Sequence, residues 1–133
     1  MIIESLGKRA LFLIPSVKVY GKKYSKSGAV ATKIHNFLSQ TFGGYTCASG
    51  NIYGYFMGVD DPFAYDEHRE FRVAFTDNKT ETKLTKLQEF LAELATDIGE
   101  ECIYLEVGGE ALLVYPDPIE KKLEDRRYHT QPK

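Results

Sequence analysis

Residues 69–77 read Arg-Glu-Phe-Arg-Val-Ala-Phe-Thr-Asp. Phe71, Val73 and Phe75 alternate with Glu70, Arg72 and Ala74, the period of two that sends apolar side chains to one face of a strand and the rest to the other. Such a strand belongs to a sheet covered on one side only, and the flanking sequence supplies the cover. Downstream, Asn78 and Glu81 have the spacing of a capping box, and Leu84, Leu87, Leu91, Leu94 and Ile98 follow at intervals of three and four until Gly99. Ile103, Leu105 and Val107 then alternate with Tyr104 and Glu106, Gly108-Gly109 makes a tight turn, and residues 111–115 return as a hairpin strand.

Upstream, residues 45–59 mix aromatics with Gly50, Gly54 and Gly58, which predicts a strand that bends or admits something close to its backbone. Asp60-Asp61-Pro62 reads as a loop. Val30, Ile34, Phe37, Leu38 and Thr41 predict an earlier helix, capped by Ser25 or Ser27 and stopped at Gly43. Residues 9–20 read as the first strand, with either a bulge at Pro15 or regular pairing that begins near Ser16. Strand, helix, strand, strand, helix, strand is the order of the ferredoxin-like α+β fold. Its antiparallel sheet carries both helices on one face, here with an added C-terminal hairpin strand. Residues 1–115 form the expected single domain, and the charged tail 116–133 is expected to be disordered or ordered only against a partner. The uncovered sheet face is then free for oligomerisation or for a ligand.

With 133 residues, 43% of them hydrophobic, the chain has the size of one domain and one modest core. Seventeen basic against 19 acidic residues, net −2, argue against a nucleic-acid or membrane-surface partner. Lys8 and Arg9 precede an apolar run that Pro15 interrupts, which is neither signal peptide nor membrane span, so a cytoplasmic protein is expected. Cys47 and Cys102 lack a CxxC partner and read as free, partly buried thiols. His35, His68 and His129 lack ligand spacing, so no metal and no cofactor is expected.

Four features carry potential chemistry. Gly43, Gly44, Tyr45 and Thr46 ordinarily mean a helix stop and a turn, but they also expose backbone groups to a small polar ligand. Tyr45, Tyr53, Tyr55 and Phe56, with Tyr104 and Tyr115, are core or interface aromatics unless they stack on a base or a cation. The cluster Asp66-Glu67-His68-Arg69-Glu70-Phe71-Arg72 reads as a loop and strand start with paired, solvated charge. Yet Glu70 and Arg72 share a face of a central strand, where a charge is costly unless it is paired or employed, and this makes Glu70 the first choice for a working carboxylate. In Glu100-Glu101 the two acids point opposite ways, Glu101 inward if Ile103 is. No serine or cysteine arrangement with a histidine base is legible, so catalysis must rest on carboxylates, tyrosines and positioning.

Between about Leu11 and Tyr115 the order of motifs resembles the bacteriophage S-adenosylmethionine (SAM) lyases, formerly called hydrolases, and their relatives that degrade the SAM-AMP signalling conjugate. The residues that carry the resemblance are the Gly43-Gly44-Tyr45 helix end, the Gly-and-Tyr strand, Glu70-Phe71-Arg72-Val73, Glu100-Glu101-Cys102-Ile103-Tyr104-Leu105 and Ala111-Leu112-Leu113-Val114-Tyr115. Several small families of unknown function share the Gly-Gly-Tyr-Thr and Glu-Cys-Ile pattern.

The resemblance implies a ferredoxin-like core, a homotrimer, and an adenosyl site at subunit interfaces. It maps the family's tyrosine to Tyr53 or Tyr55, its strand glutamate to Glu70, and its late acidic residue to Glu101. The family's strand acid precedes a small hydroxyl residue, whereas Phe71 and Arg72 follow Glu70, so Glu67 or a two-residue shift stays open. The implied chemistry needs no protein nucleophile and no metal: the substrate's own carboxylate attacks its γ-carbon, giving methylthioadenosine, or its AMP conjugate, and homoserine lactone. For the AMP conjugate, Lys18, Lys22, Lys23 and Arg72 are the phosphate partners available. In a phage such an enzyme would counteract host defence, including signalling in CRISPR immunity. The rival readings are a non-catalytic sponge for a nucleotide signal on the same surface and, last, an RNA-binding domain, against which stand the missing RNP motif and the acidic charge.

Overall fold

The computed structural model describes residues 1–20, 29–48, 52–56, 64–76 and 80–116. Its elements in chain order are β1 (Lys8–Pro15), α1 (Ser16–Tyr20), α2 (Ala29–Phe42), β2 (Thr46–Ala48), β3 (Tyr53–Phe56), β4 (Ala64–Phe75), α3 (Thr80–Ile98), β5 (Ile103–Val107) and β6 (Glu110–Val114). The antiparallel sheet runs β2-β4-β1-β5-β6, with β3 continuing the β2 side of β4. This is the expected ferredoxin-like order with an added hairpin strand.

β4 and β1 form the centre, in register from Lys8↔Phe75 to Pro15↔His68. Phe71, Val73 and Phe75 point into the core with Ala10, Phe12 and Ile14, where they meet Ile34 and Leu38 of α2 and Leu87, Leu91, Leu94 and Ile98 of α3. The two helix stripes read from the sequence are the buried ones. Phe37 of α2 stacks on Phe90 of α3 with ring centroids 4.0 Å apart, and Phe12 stacks on Phe71 at 5.2 Å.

The predicted helix stops hold. Gly43 takes φ +81° and donates its N–H to the Ser39 carbonyl. Gly99 takes φ +71°, and the Glu100 N–H reaches back to the Ala95 carbonyl while that of Gly99 reaches Thr96, a Schellman closure. Gly108 and Gly109 are both left-handed, as a two-residue hairpin turn requires.

Several expectations are corrected. The first strand does not run to Tyr20, nor does its pairing begin near Ser16. It ends at Pro15, where a missing N–H is tolerated, and Ser16–Tyr20 turns at once into a short helix that buries Val19. The Gly-and-Tyr segment is two short strands rather than one, and what lies close to Gly54 is His68, whose ring is 3.3 Å from where a Cβ would stand. β4 begins at Ala64, so Asp66, Glu67 and His68 belong to a strand and not to a loop, held there by pairing with β3. Cys47 is exposed because β2 is the outer strand, while Cys102 is half-buried as expected. Ser25, Ser27, Lys22, Lys23, Gly50, Gly58, the 60–62 loop, Asn78 and tail residues 117–133 lie outside the described residues. Among the described residues no helix is long and apolar enough to cross a membrane.

Candidate functional site

Alternation along β4 sorts the candidate residues onto two sides of the sheet. Glu70 and Arg72 lie on the side away from the helices and form an ion pair with each other, Glu70 with 16% and Arg72 with 56% of its side chain exposed. Across the ladder Glu70 is flanked by Ala48 and Leu13, and Leu13 by Tyr104. The Tyr104 hydroxyl donates to Glu106 at 2.9 Å, and that bond to a carboxylate raises the phenol's pKa. Thr46 stands opposite Arg72.

The helix side of the same strand carries Phe71, Arg69 and Glu67. Glu67 is directly opposite Tyr53 of β3, and the Ser16 hydroxyl of α1 donates to its carboxylate at 3.4 Å. Tyr53 is 55% exposed. Tyr55 occupies the register position opposite Tyr65, and its side chain lies outside the described residues. Glu67 and Tyr53 therefore share a side of the sheet, and Glu70 is on the other.

Towards the other end of β2 a cavity of about 300 Å³ opens between β2, α1 and α2, lined by Val19, Ala31, Thr32, His35, Tyr45, Cys47 and Phe71. The Tyr45 ring is tilted against Phe71 at 6.2 Å and meets the His35 ring edge-on at 5.6 Å. His35 Nδ1 and the Tyr45 hydroxyl are hydrogen-bonded at 2.9 Å. Burial pushes the Cys47 thiol's pKa up, and the charge and hydrogen bond of Arg69 oppose that.

Glu101 belongs to a third group, at the α3–β5 connection. Lys18 of α1 donates to the Ile98 carbonyl at 2.7 Å and lies 3.6 Å from Glu100. Burial raises the Glu100 pKa, Lys18 opposes the rise, and Asp66 and Glu101 add to it. Asp66 of β4, Glu100 and Glu101 thus form one acidic neighbourhood at the sheet end that also holds Glu67. Gly43 and Gly44 are exposed, with no protein atom within 4 Å of where a Cβ would stand, and they make the helix stop that leads into Tyr45.

Sequence reading selected Tyr45 but missed its neighbours His35, Cys47, Val19 and Thr32. Each comes from a different turn or element, and the one available signal was a histidine on α2 beside, not on, the apolar stripe. Among the described residues no three His, Cys, Asp or Glu side chains are placed to hold a metal ion.

No family model matches this sequence, and no curated protein matches it. Among solved structures, a phage SAM lyase in complex with S-methyl-5′-thioadenosine matches at TM-score 0.54 and 13% identity, covering 89% of this chain and 98% of that one. A phage SAM lyase in the apo state matches at TM-score 0.46 and 10% identity, over 88% and 98%. The chain has the fold of the first of these proteins over nearly its whole length.

Proposed function

We propose that this protein is a carbon–sulfur lyase acting on an adenosyl sulfonium, either SAM or SAM-AMP, as a homotrimer with sites at subunit interfaces. The observation that carries the reading is the facing pair Tyr53 and Glu67, an exposed ring and a carboxylate on one side of the sheet, in a fold shared with a phage SAM lyase. A ring face and a carboxylate are what a sulfonium cation seeks, and a cation over a tyrosine gains about 0.5–2 kcal/mol.

In the reaction, the substrate's carboxylate oxygen forms a bond to its γ-carbon as the γ-carbon–sulfur bond breaks. The electron pair leaves on sulfur, giving a neutral thioether and a lactone with no net proton transfer. The protein's task is to fold the methionine arm so that carboxylate and γ-carbon meet, and effective molarities of about 10⁵–10⁸ M show how much rate such positioning supplies. Because opposite charges annihilate, excluding water favours the step, and a neighbouring subunit over the site would do this. Glu67 orients the sulfonium and Tyr53 packs on it. Glu70 lies on the opposite side, so it reaches the same substrate only from a second copy.

Incubation with SAM and with SAM-AMP, followed by mass spectrometry for methylthioadenosine or its adenylylated counterpart, tests the reading. Product from either is expected; the absence of product from both sinks it. Substrate recovered intact from a thermally stabilised protein selects the sponge instead.

A further inference from the structure

Two features of the chain lack partners among the described residues, and they suit each other. The first is the arm of residues 1–6, Met-Ile-Ile-Glu-Ser-Leu, in which Ile2, Ile3 and Leu6 are 97, 84 and 64% exposed. Three large apolar side chains side by side in water mark a surface that is made to be covered, and the two isoleucines favour a strand. The arm leaves the domain by a fixed route. The Gly7 N–H donates to the Ser5 hydroxyl at 3.2 Å, Gly7 is left-handed at φ +89°, and a Cβ there would strike the Phe75 carbonyl.

The second feature is the outer edge of β6, the last strand in the order β2-β4-β1-β5-β6. Val107 and Glu110 close the two-residue hairpin and exchange both hydrogen bonds, so bonded and non-bonded pairs alternate from there. The N–H and C=O groups of Ala111 and Leu113 consequently point away from β5, towards that edge. Edge strands are usually guarded by a lysine, a proline or a bulge. Residues 111–114, Ala-Leu-Leu-Val, have none of these in an unbroken register with β5. Leu112 and Val114 pack against the core on one side of the sheet and Leu113 is 39% exposed on the other, so an added strand finds apolar neighbours on both sides.

We infer that residues 1–6 of one copy of the chain add as an extra strand to the β6 edge of a second copy. Reach decides for the second copy. Six extended residues span about 20 Å, and a strand beside β6 lies three strand spacings, about 14 Å, from β1. Within its own subunit the arm would use that distance to cross β5 and β6, which leaves about two residues to pair. From a neighbouring subunit the whole arm can lie along the five residues of β6. Each copy giving its arm to the next closes a ring. The contact rests on the self-association proposed above and is indifferent to the substrate.

Hydrogen exchange resolved by NMR at Ala111 and Leu113, read beside the mass from light scattering, tests the contact. At about ten times the assembly midpoint, these two amides are expected to exchange about tenfold more slowly than in protein diluted to the monomer. Neighbouring residues of a strand point their N–H groups to opposite edges, so Ile3→Pro combined with Glu4→Pro removes a donor from each edge of the arm. That variant should give monomers and release both amides, with circular dichroism unchanged. Ile3→Val combined with Glu4→Gln, which keeps the strand, should behave as the parent. A proline variant that stays equally assembled and protected overturns the arm contact and leaves the homotrimer standing. Protection that survives dilution to the monomer assigns the β6 edge to a segment of the same chain and overturns the contact too. A parent that is monomeric at every concentration removes both the arm contact and the homotrimer.

Discussion

At the scale of single residues, the two carboxylates Glu67 and Glu70 are three positions apart and on opposite sides of one strand. Replacing each separates their roles. Glu67→Gln is expected to lower kcat by about a hundredfold or more, the order typical of one group acting on reacting charge, with Glu70→Gln tested beside it. Product formation followed by mass spectrometry checks this, and a collapse in Glu70→Gln alone would transfer the role to Glu70. Tyr53→Ala should raise KM between about twofold and thirtyfold, the range of one cation–aromatic contact. Glu100 offers a different test. Its pKa is raised in the folded protein, chiefly by burial, so the unfolded chain ionises first as pH climbs past 4.5. The folded state loses stability between that pH and the folded pKa, and the penalty persists above it. Glu100→Gln is therefore expected to melt higher than the parent at pH 7 and to converge with it below the ordinary carboxylate value. A parent that is the more stable of the two at pH 7 would mean that Lys18 outweighs the burial.

At the scale of elements, what was legible in the sequence was what local periodicity encodes. The alternation of Phe71, Val73 and Phe75, the leucine stripe of α3 and the glycine stops are each decided by neighbours within a few residues, and each holds in the structure. The α1 turn was illegible because Val17 and Val19 resemble a strand, and only the burial of Val19 beneath the helix layer decides otherwise. The start of β4 was hidden by a run of charges whose partners, Ser16 and the β3 ladder, are distant in the chain. For the same reason the cavity could not be read, since Tyr45, His35 and Phe71 meet only once α2, β2 and β4 are assembled. One element boundary gives a stability test. Gly7 leads into β1 at φ +89°, and a Cβ there would stand 2.0 Å from the Phe75 carbonyl oxygen. A methyl group meets both the left-handed backbone and a backbone atom that cannot yield, so Gly7→Ala is expected to lower unfolding free energy by roughly 1–3 kcal/mol. Urea denaturation measures it, and a change near zero would refute the close packing of this turn on β4.

At the scale of the whole molecule, helices cover one face of the sheet, while the other presents Leu11, Leu13, Tyr104 and Leu113, the last 39% exposed, around the Glu70 and Arg72 pair. A trimer with shared sites requires such a face to be covered. Leu113→Glu is then expected to yield monomers by light scattering with unchanged circular dichroism and little turnover. A parent protein that is monomeric and fully active at the same concentration would eliminate shared sites. From Ala48 to Tyr53 is five residues, whereas their partners Glu70 and Glu67 are three apart, so β2 and β3 pair with β4 in different registers. Amides around Phe71 and Val73 lie in the part of β4 that packs on the buried core, and they should exchange with deuterium only when the whole domain unfolds. Amides around Asp66 to His68 pair with the short β3 and with Pro15, which offers no N–H in return, and should exchange by local opening many times faster. The end of the sheet that carries Glu67 and Tyr53 can thus open and reclose while the core stays closed.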